Sequence, residues 1–310
     1  MSRGRFALFD HCVRVEIEVL IQFGPAVSGI VILAMKSAFL PLLFLSVGWP
    51  ALAQLAPPNA AGVTLGQIHL IVKDVDAERR FFIDMMGGVP VENDKISMIQ
   101  LPGVFVILSQ GDPAGPSAGS TINHFGVVIK DVDAFRSNWE ANHLTIDRVE
   151  NPKGGYVHSP SGLRIEFYED PSLSTPIAMN HFHFFMAPER IPEVQAWYAK
   201  VFGAKPSQRY CTSCLTHKRL IETLDLPGTN FSLAPLPANS PGPPVPTKGR
   251  QIDHLGFEVK NLKAFVEKAE VNGIKFDEPY RAAKSSAKVH IAFLTDPWGT
   301  RIELTEGLAP

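Results

Sequence analysis

Residues 253–261 read DHLGFEVKN and residues 296–304 read DPWGTRIEL, and what lies between them decides the fold. The first segment is a short apolar run with a histidine near its start, which reads as a strand. Leu262, Phe265, Val266 and Ala269 then fall at i, i+3, i+4 and i+7, with Asn261 placed to cap the helix and Gly273 to stop it. Short strands follow, and the closing segment turns at Gly299 into a last strand. Three earlier segments open in the same way: QIHLIVKD (67–74), NHFGVVIKD (123–131) and NHFHFFMAP (180–188). Three close in the same way: PGVFVIL (102–108), SPSGLRIEF (159–167) and PGTNFSL (227–233). The order strand, helix, three strands therefore occurs four times.

The intervening helices carry matching stripes. Val194, Trp197, Tyr198 and Val201 repeat the spacing in the third unit, which ends at Gly203. The first helix is expected from Asp74 to Gly87-Gly88, and the second from about Asp131, with Phe135 and Trp139 inward. Two Pro/Gly/Ser-rich stretches, GDPAGPSAG (111–119) and PANSPGPPVPTKG (237–249), separate units one from two and three from four. One open sheet with one helix cannot enclose a core, so units are expected to pair. Units one and two are assigned to one domain (65–172), and units three and four to a second (176–308).

The 310 residues agree with that count at roughly 150 per domain, and 45% hydrophobic residues suffice for sizeable cores. Twenty-nine basic against 31 acidic residues leave a formal charge of -2, which speaks against a nucleic-acid protein. Three cysteines are too few for a disulfide-built scaffold.

The N-terminal region reads as an address. From Met35 the sequence MKSAFLPLLFLSVGWPALAQ has a positive front at Lys36, an apolar stretch Ala38–Trp49, and the small-x-small pattern Ala51-Leu52-Ala53 before Gln54. Residues 35–53 are therefore expected to be a secretory signal, with 1–34 upstream of the true start and 54–64 a linker. The mature protein is expected in the periplasm or outside the cell and free of the membrane. A retained membrane anchor is the alternative, but Lys36, Gly24, Pro25, Gly29 and Pro41 suit a spanning helix poorly.

A strand-helix-strand-strand-strand unit, with a ligand-type residue in its first strand and a D-P-x-G-x-x-I-E ending, resembles the vicinal oxygen chelate superfamily. Glyoxalase I, the fosfomycin and bleomycin resistance proteins and the extradiol dioxygenases belong to it. The resemblance covers residues 65 to 308. It implies an α+β fold of four βαβββ modules paired into two glyoxalase/dioxygenase-like domains with cupped mixed sheets. In such folds the first and last strands of paired modules aim ligands into the cup.

Counting four residues on from each turn glycine gives Ile107, Glu166, Ser232 and Glu303, so only units two and four supply a carboxylate. Counting back seven from Asp131 and Asn261 gives His124 and His254; from Asp74 it gives Gln67, with His69 two places on. In unit three the equivalent pair is His181 and His183. Residues i and i+2 of a strand share a face, so either member of each pair can reach the cup. The second domain would then offer His181, His183, His254 and Glu303, and the first Gln67, His69, His124 and Glu166. Two histidines and one carboxylate on one face suit non-haem Fe(II), and Mn(II), Zn(II) or Ni(II) also fit, as one or two ions per chain. Taken singly, each of these residues also has an ordinary reading, as a packed strand histidine or a solvated strand carboxylate.

Tyr156 stands ten residues before Glu166, where the resemblance to extradiol dioxygenases implies a catalytic tyrosine; Phe293 holds that place in the other half. His158 and His290 are candidate proton shuttles, with surface positions as the plainer reading. Cys211 and Cys214, followed by His217, read as a local disulfide or free thiols rather than a zinc site, and Cys12 lies ahead of the mature chain. The resulting expectation is a divalent-metal enzyme acting on a small substrate that chelates through two oxygens. Ligand count inclines it to dioxygenase chemistry over glyoxalase-like isomerisation or lyase chemistry, although export argues against a ferrous enzyme. A non-catalytic binding protein of the resistance type is the alternative.

Overall fold

A computed structural model describes residues 55–211, 219–236, 240 and 242–309. Residues 1–54, with the expected signal and Cys12, and residues 212–218, with Cys214 and His217, lie outside the described residues. Cys211 is disulfide-bonded. Among the described residues no helix is long and apolar enough to cross a membrane.

The four repeats form as the sequence implies. The first comprises β1 (Val63–Val72), α1 (Val75–Arg80), β2 (Val89–Asn93), β3 (Ile96–Leu101) and β4 (Val104–Gln110). The second comprises β5 (Ile122–Ile129), α2 (Val132–Ala141), β6 (Ile146–Arg148), β7 (Gly154–His158) and β8 (Arg164–Glu169). The third comprises β9 (Ile177–Met186), α3 (Ile191–Phe202), β10 (Lys205–Tyr210), β11 (Leu220–Leu226) and β12 (Thr229–Pro235). The fourth comprises β13 (Ile252–Val259), α4 (Leu262–Val271), β14 (Glu278–Ala283), β15 (Ser286–Thr295) and β16 (Arg301–Glu306).

Three helices start on a side-chain cap, which satisfies a backbone donor the helix itself cannot. Asp74, Asp131 and Asn261 accept from the N–H groups of Ala77, Ala134 and Ala264 at 2.9, 3.0 and 3.1 Å. Helix α3 has no such cap and instead continues a 3-10 turn at Pro188–Arg190; it ends at Gly203, whose φ of 68° places it in the left-handed region. The first helix differs from expectation: after Arg80 it widens into a π-helical turn, Phe81–Met85, and the adjacent Phe81 and Phe82 are both buried.

The pairing of the units corrects the sequence reading. One eight-stranded mixed sheet has the order β14-β15-β16-β13-β1-β4-β3-β2, and the other β10-β11-β12-β9-β5-β8-β7-β6. Units one and four therefore share a sheet, joined by antiparallel β1 and β13, and units two and three share the other, joined by β5 and β9. The connections explain this. Only residues 170–176 separate β8 from β9, which keeps units two and three side by side. The long Pro/Gly-rich stretches are crossings between sheets, and they run together: Thr121 N–H donates to Val245 O, Val245 N–H to Gly119 O, and Gln251 N–H to Gly115 O.

The sheet faces opposite the histidines and the inner faces of the helices form one continuous core, in which Ile68, Phe125, Phe182 and Leu255 lie with Trp139, Tyr198 and Phe202. Phe202 of α3 packs on Phe257 of β13 at 4.9 Å between ring centroids, so helices of one sheet touch strands of the other. Burying both sheets' outer faces in this way leaves the two concave faces as the places where polar groups can gather.

Candidate metal centres

The two concave faces carry equivalent constellations. In the β5–β9 pair His124 lies opposite His183, and Gly126 opposite His181; in the β1–β13 pair His254 lies opposite His69, and Gly256 opposite Gln67. Glu166 of β8 lies beside Gly126, and Glu303 of β16 beside Gly256. The glycines make the room: a Cβ at Gly126 would run into the His181 imidazole, and one at Gly256 into the Gln67 side chain.

His124, Glu166, His181 and His183 each offer a ligand atom, all within 4.8 Å of one another, and so do His69, His254 and Glu303. The expected residues are thus gathered, but in a different division. His181 and His183 belong with His124 and Glu166, while Gln67 and His69 belong with His254 and Glu303. The change follows from the module pairing, and it makes the β5–β9 cup the fuller set.

The orientation of the β5–β9 imidazoles is set by their neighbours in sequence. His124 Nδ1 lies 2.9 Å from Asn123 Oδ1, and His181 Nδ1 lies 3.0 Å from Asn180 Oδ1. An amide oxygen only accepts, so both Nδ1 atoms carry the proton and donate. Each ring then turns its Nε2 inward, and both Nε2 atoms meet the same oxygen, Glu166 Oε2, at 3.2 and 2.9 Å. Burial pushes His124 down and keeps it neutral. Burial alone would raise Glu166, but the two imidazoles prevail and hold its carboxyl well below the usual carboxylate range. His183 is also pushed well below the usual imidazole range by burial, and both its ring nitrogens are buried without a hydrogen-bond partner. Three imidazoles and a carboxylate whose ligand atoms all converge within 4.8 Å suit a shared cation. The outer acceptors on His124 and His181 are also the usual way of fixing a ligand ring.

The β1–β13 cup is built on the same plan with different charges. Asp253 replaces the asparagine: His254 Nδ1 is 2.5 Å from Asp253 Oδ1 and its Nε2 is 3.1 Å from Glu303 Oε2. Burial lowers His254, but these two carboxylates outweigh it and raise the imidazole overall. Gln67 Nε2 donates to the same Glu303 oxygen, and Gln67 Oε1 is buried without a partner. His69 pairs with Ser109 Oγ at 2.7 Å and is pushed down to about 3, chiefly by burial. This cup also holds an apolar cluster of Met98, Phe105, Val289, Ile291, Phe293 and Leu308, with Ile107 against it.

Tyr156 lies on β7 beside Glu166, its ring edge-on to His124 at 5.2 Å between centroids. Burial raises its phenol, so it is a proton-bearing group. His158 pairs with Asp147 at 2.8 Å on the rim of the same cup, whereas His290 stacks on Tyr280 and belongs to neither ligand group. Asn123, Asn180 and Asp253 were not singled out from sequence. Their signal was present, because each immediately precedes a strand histidine.

Residues 179–304 match the sequence model of the Glyoxalase/Bleomycin resistance protein/Dioxygenase superfamily. No curated protein sequence matches the chain. Among solved structures, glyoxalase I from Zea mays is similar with a TM-score of 0.57 and 15% identity, over 79% of this chain and 92% of that one. A putative dioxygenase from Bacillus subtilis is similar with a TM-score of 0.54 and 12% identity, over 82% of this chain and 86% of that one. At such identities the likeness is one of fold.

Proposed function

We propose, for a chain that carries a Glyoxalase/Bleomycin resistance protein/Dioxygenase superfamily domain over residues 179–304 and shares its fold with glyoxalase I, that the β5–β9 cup holds a divalent metal and acts on a small substrate with two neighbouring oxygens. The observation that carries this reading is the convergence of the Nε2 atoms of His124 and His181 on one oxygen of Glu166. Two histidines and one carboxylate leave open positions on a six-coordinate ion. A divalent ion there supplies a Lewis acid that favours the deprotonated form of a chelating oxygen pair.

The chain's own residues do the rest. His183, kept neutral by burial and with both ring nitrogens unpartnered, is available to hydrogen-bond a bound substrate. Tyr156 keeps its proton and can donate it in a hydrogen bond beside Glu166. The place where a second carboxylate would serve proton-transfer chemistry is held by Ser232, opposite His183. That absence of a carboxylate base favours oxygen-dependent cleavage over isomerisation.

Metal analysis of protein purified without chelator tests the reading, followed by reconstitution with Fe(II), Mn(II), Zn(II) or Ni(II). At least one ion per chain is expected, and Glu166→Ala should lower the stoichiometry by one. Substoichiometric metal that none of these ions restores would leave a small-molecule binding protein of the resistance type as the better account. Dioxygen uptake with a panel of vicinal diols then separates oxygenase from isomerase chemistry.

A further inference from the structure

We infer that the substrate of the β5–β9 cup carries a carboxylate, bound by Arg164 and assisted by Arg209, in addition to its two chelating oxygens. This rests on the metal-centre reading above and adds the charge class of the substrate.

Arg164 and Glu166 are two residues apart on β8, so they share the concave face. Along a strand that spacing is about 6.6 Å, close to the span from one edge of an aromatic ring to a group on the other. The Arg164 guanidinium lies 4.0 Å from the Tyr156 ring centroid, and its charge acts on His124. Its Nε is buried and makes no hydrogen bond. Its acidic neighbour is Asp147, 3.6 Å away and half-exposed. On the other side of the cup, Arg209 Nη2 donates to Ser232 Oγ at 2.7 Å, and the arginine's charge acts on His183.

In the other cup the corresponding arginine is paired with two acidic side chains. Arg301, two residues before Glu303, lies 4.4 Å from the centroid of Phe293, which holds the place of Tyr156. It is met by Asp253 at 2.8 Å and Glu278 at 3.3 Å. In the β5–β9 cup the place of Asp253 is taken by Asn123, which is uncharged. A planar carboxylate would restore the balance and give the part-buried guanidinium the geometry it favours.

The test compares 3,4-dihydroxybenzoate with 3,4-dihydroxybenzamide, which differ in charge but keep the same oxygen pair. Both are titrated calorimetrically into the metal-loaded full chain and its Arg164→Gln, Arg164→Lys and Arg209→Gln variants. The benzoate is expected to bind about tenfold tighter than the amide. Arg164→Gln should bring the two within about twofold while leaving amide binding unchanged, and Arg164→Lys should keep part of the preference. If Arg164→Gln also loses the amide, Arg209→Gln decides, with a weakened benzoate and an unchanged amide expected. Equal binding of both probes by the unmodified chain overturns this inference and leaves the chelation reading standing. A preference that survives in both glutamine variants also overturns it. Loss of both probes from metal-loaded protein would instead refute the chelation reading, and this inference with it.

Discussion

His183 lies directly opposite His124 across the antiparallel β5–β9 pair, their ring centroids 4.9 Å apart, although 59 positions separate them in the chain (183 − 124). The same register brings His69 opposite His254 with centroids 4.5 Å apart. Each candidate centre is thus a seam between modules that are not the expected partners, and its chemistry depends on what each module contributes.

Asn123 and Asn180 act through the imidazoles whose Nδ1 protons they accept. Replacing either with alanine should weaken metal binding by about 10–100-fold, the usual cost of losing an outer partner of a ligand histidine. Competition against a fluorescent chelator measures this. Unchanged affinity in both variants would show that the rings are held by packing alone.

His181 and Glu303 lie in different sheets, so they should act independently. Metal binding of the His181→Ala, Glu303→Ala and double variants should therefore form an additive cycle, within about 0.5 kcal/mol. A coupling of 1 kcal/mol or more in the cycle would mean that the two residues share one ion after all.

Glu78 of α1 is fully buried, and burial raises its carboxyl above its ordinary value against the opposing hydrogen bonds from Ser159 and Ser161. The folded chain then holds this proton more tightly than the unfolded chain does. Its contribution to stability is present below the unfolded pKa of about 4.3 and is lost as pH rises through the folded one. Glu78→Gln keeps an acceptor for the Ser161 N–H and removes the titration. Urea midpoints between pH 4 and 7 should therefore fall less for the variant, leaving it the more stable form at pH 7. Parallel profiles would show that Glu78 does not titrate differently in the folded state.

Lys36, Ala38–Trp49 and Ala51-Leu52-Ala53 should direct export with cleavage before Gln54. N-terminal sequencing of protein from fractionated native cells checks this, with a start at Gln54 expected. An intact Met1 or Met35 in the cytoplasmic fraction would refute it and remove the main objection to a ferrous enzyme.

The repeat, its helices and the identity of the clustered side chains were legible in the chain because each depends on local rules. Period-3.6 stripes, caps such as Asn261 and turn residues such as Gly299 act over a few residues. The strand histidines and the two closing glutamates could be found by counting along the repeats, since each repeat builds the same strand in the same register. Which residues meet could not be found this way. The meeting of His181 with Glu166, and of Gln67 with Glu303, depends on β5 pairing with β9 and β1 with β13. That pairing depends on which linkers cross between sheets. Charge balance was equally out of reach: Asp253 neutralises Arg301 only because β13 and β16 lie side by side, and Asn123 leaves Arg164 without that partner for the same reason. Composition and periodicity determined the modules and their ligand-type residues, whereas the strand partners, and with them the two unlike cups, were decided by tertiary structure, because non-local pairing is settled by packing and linker reach rather than by any short stretch of sequence.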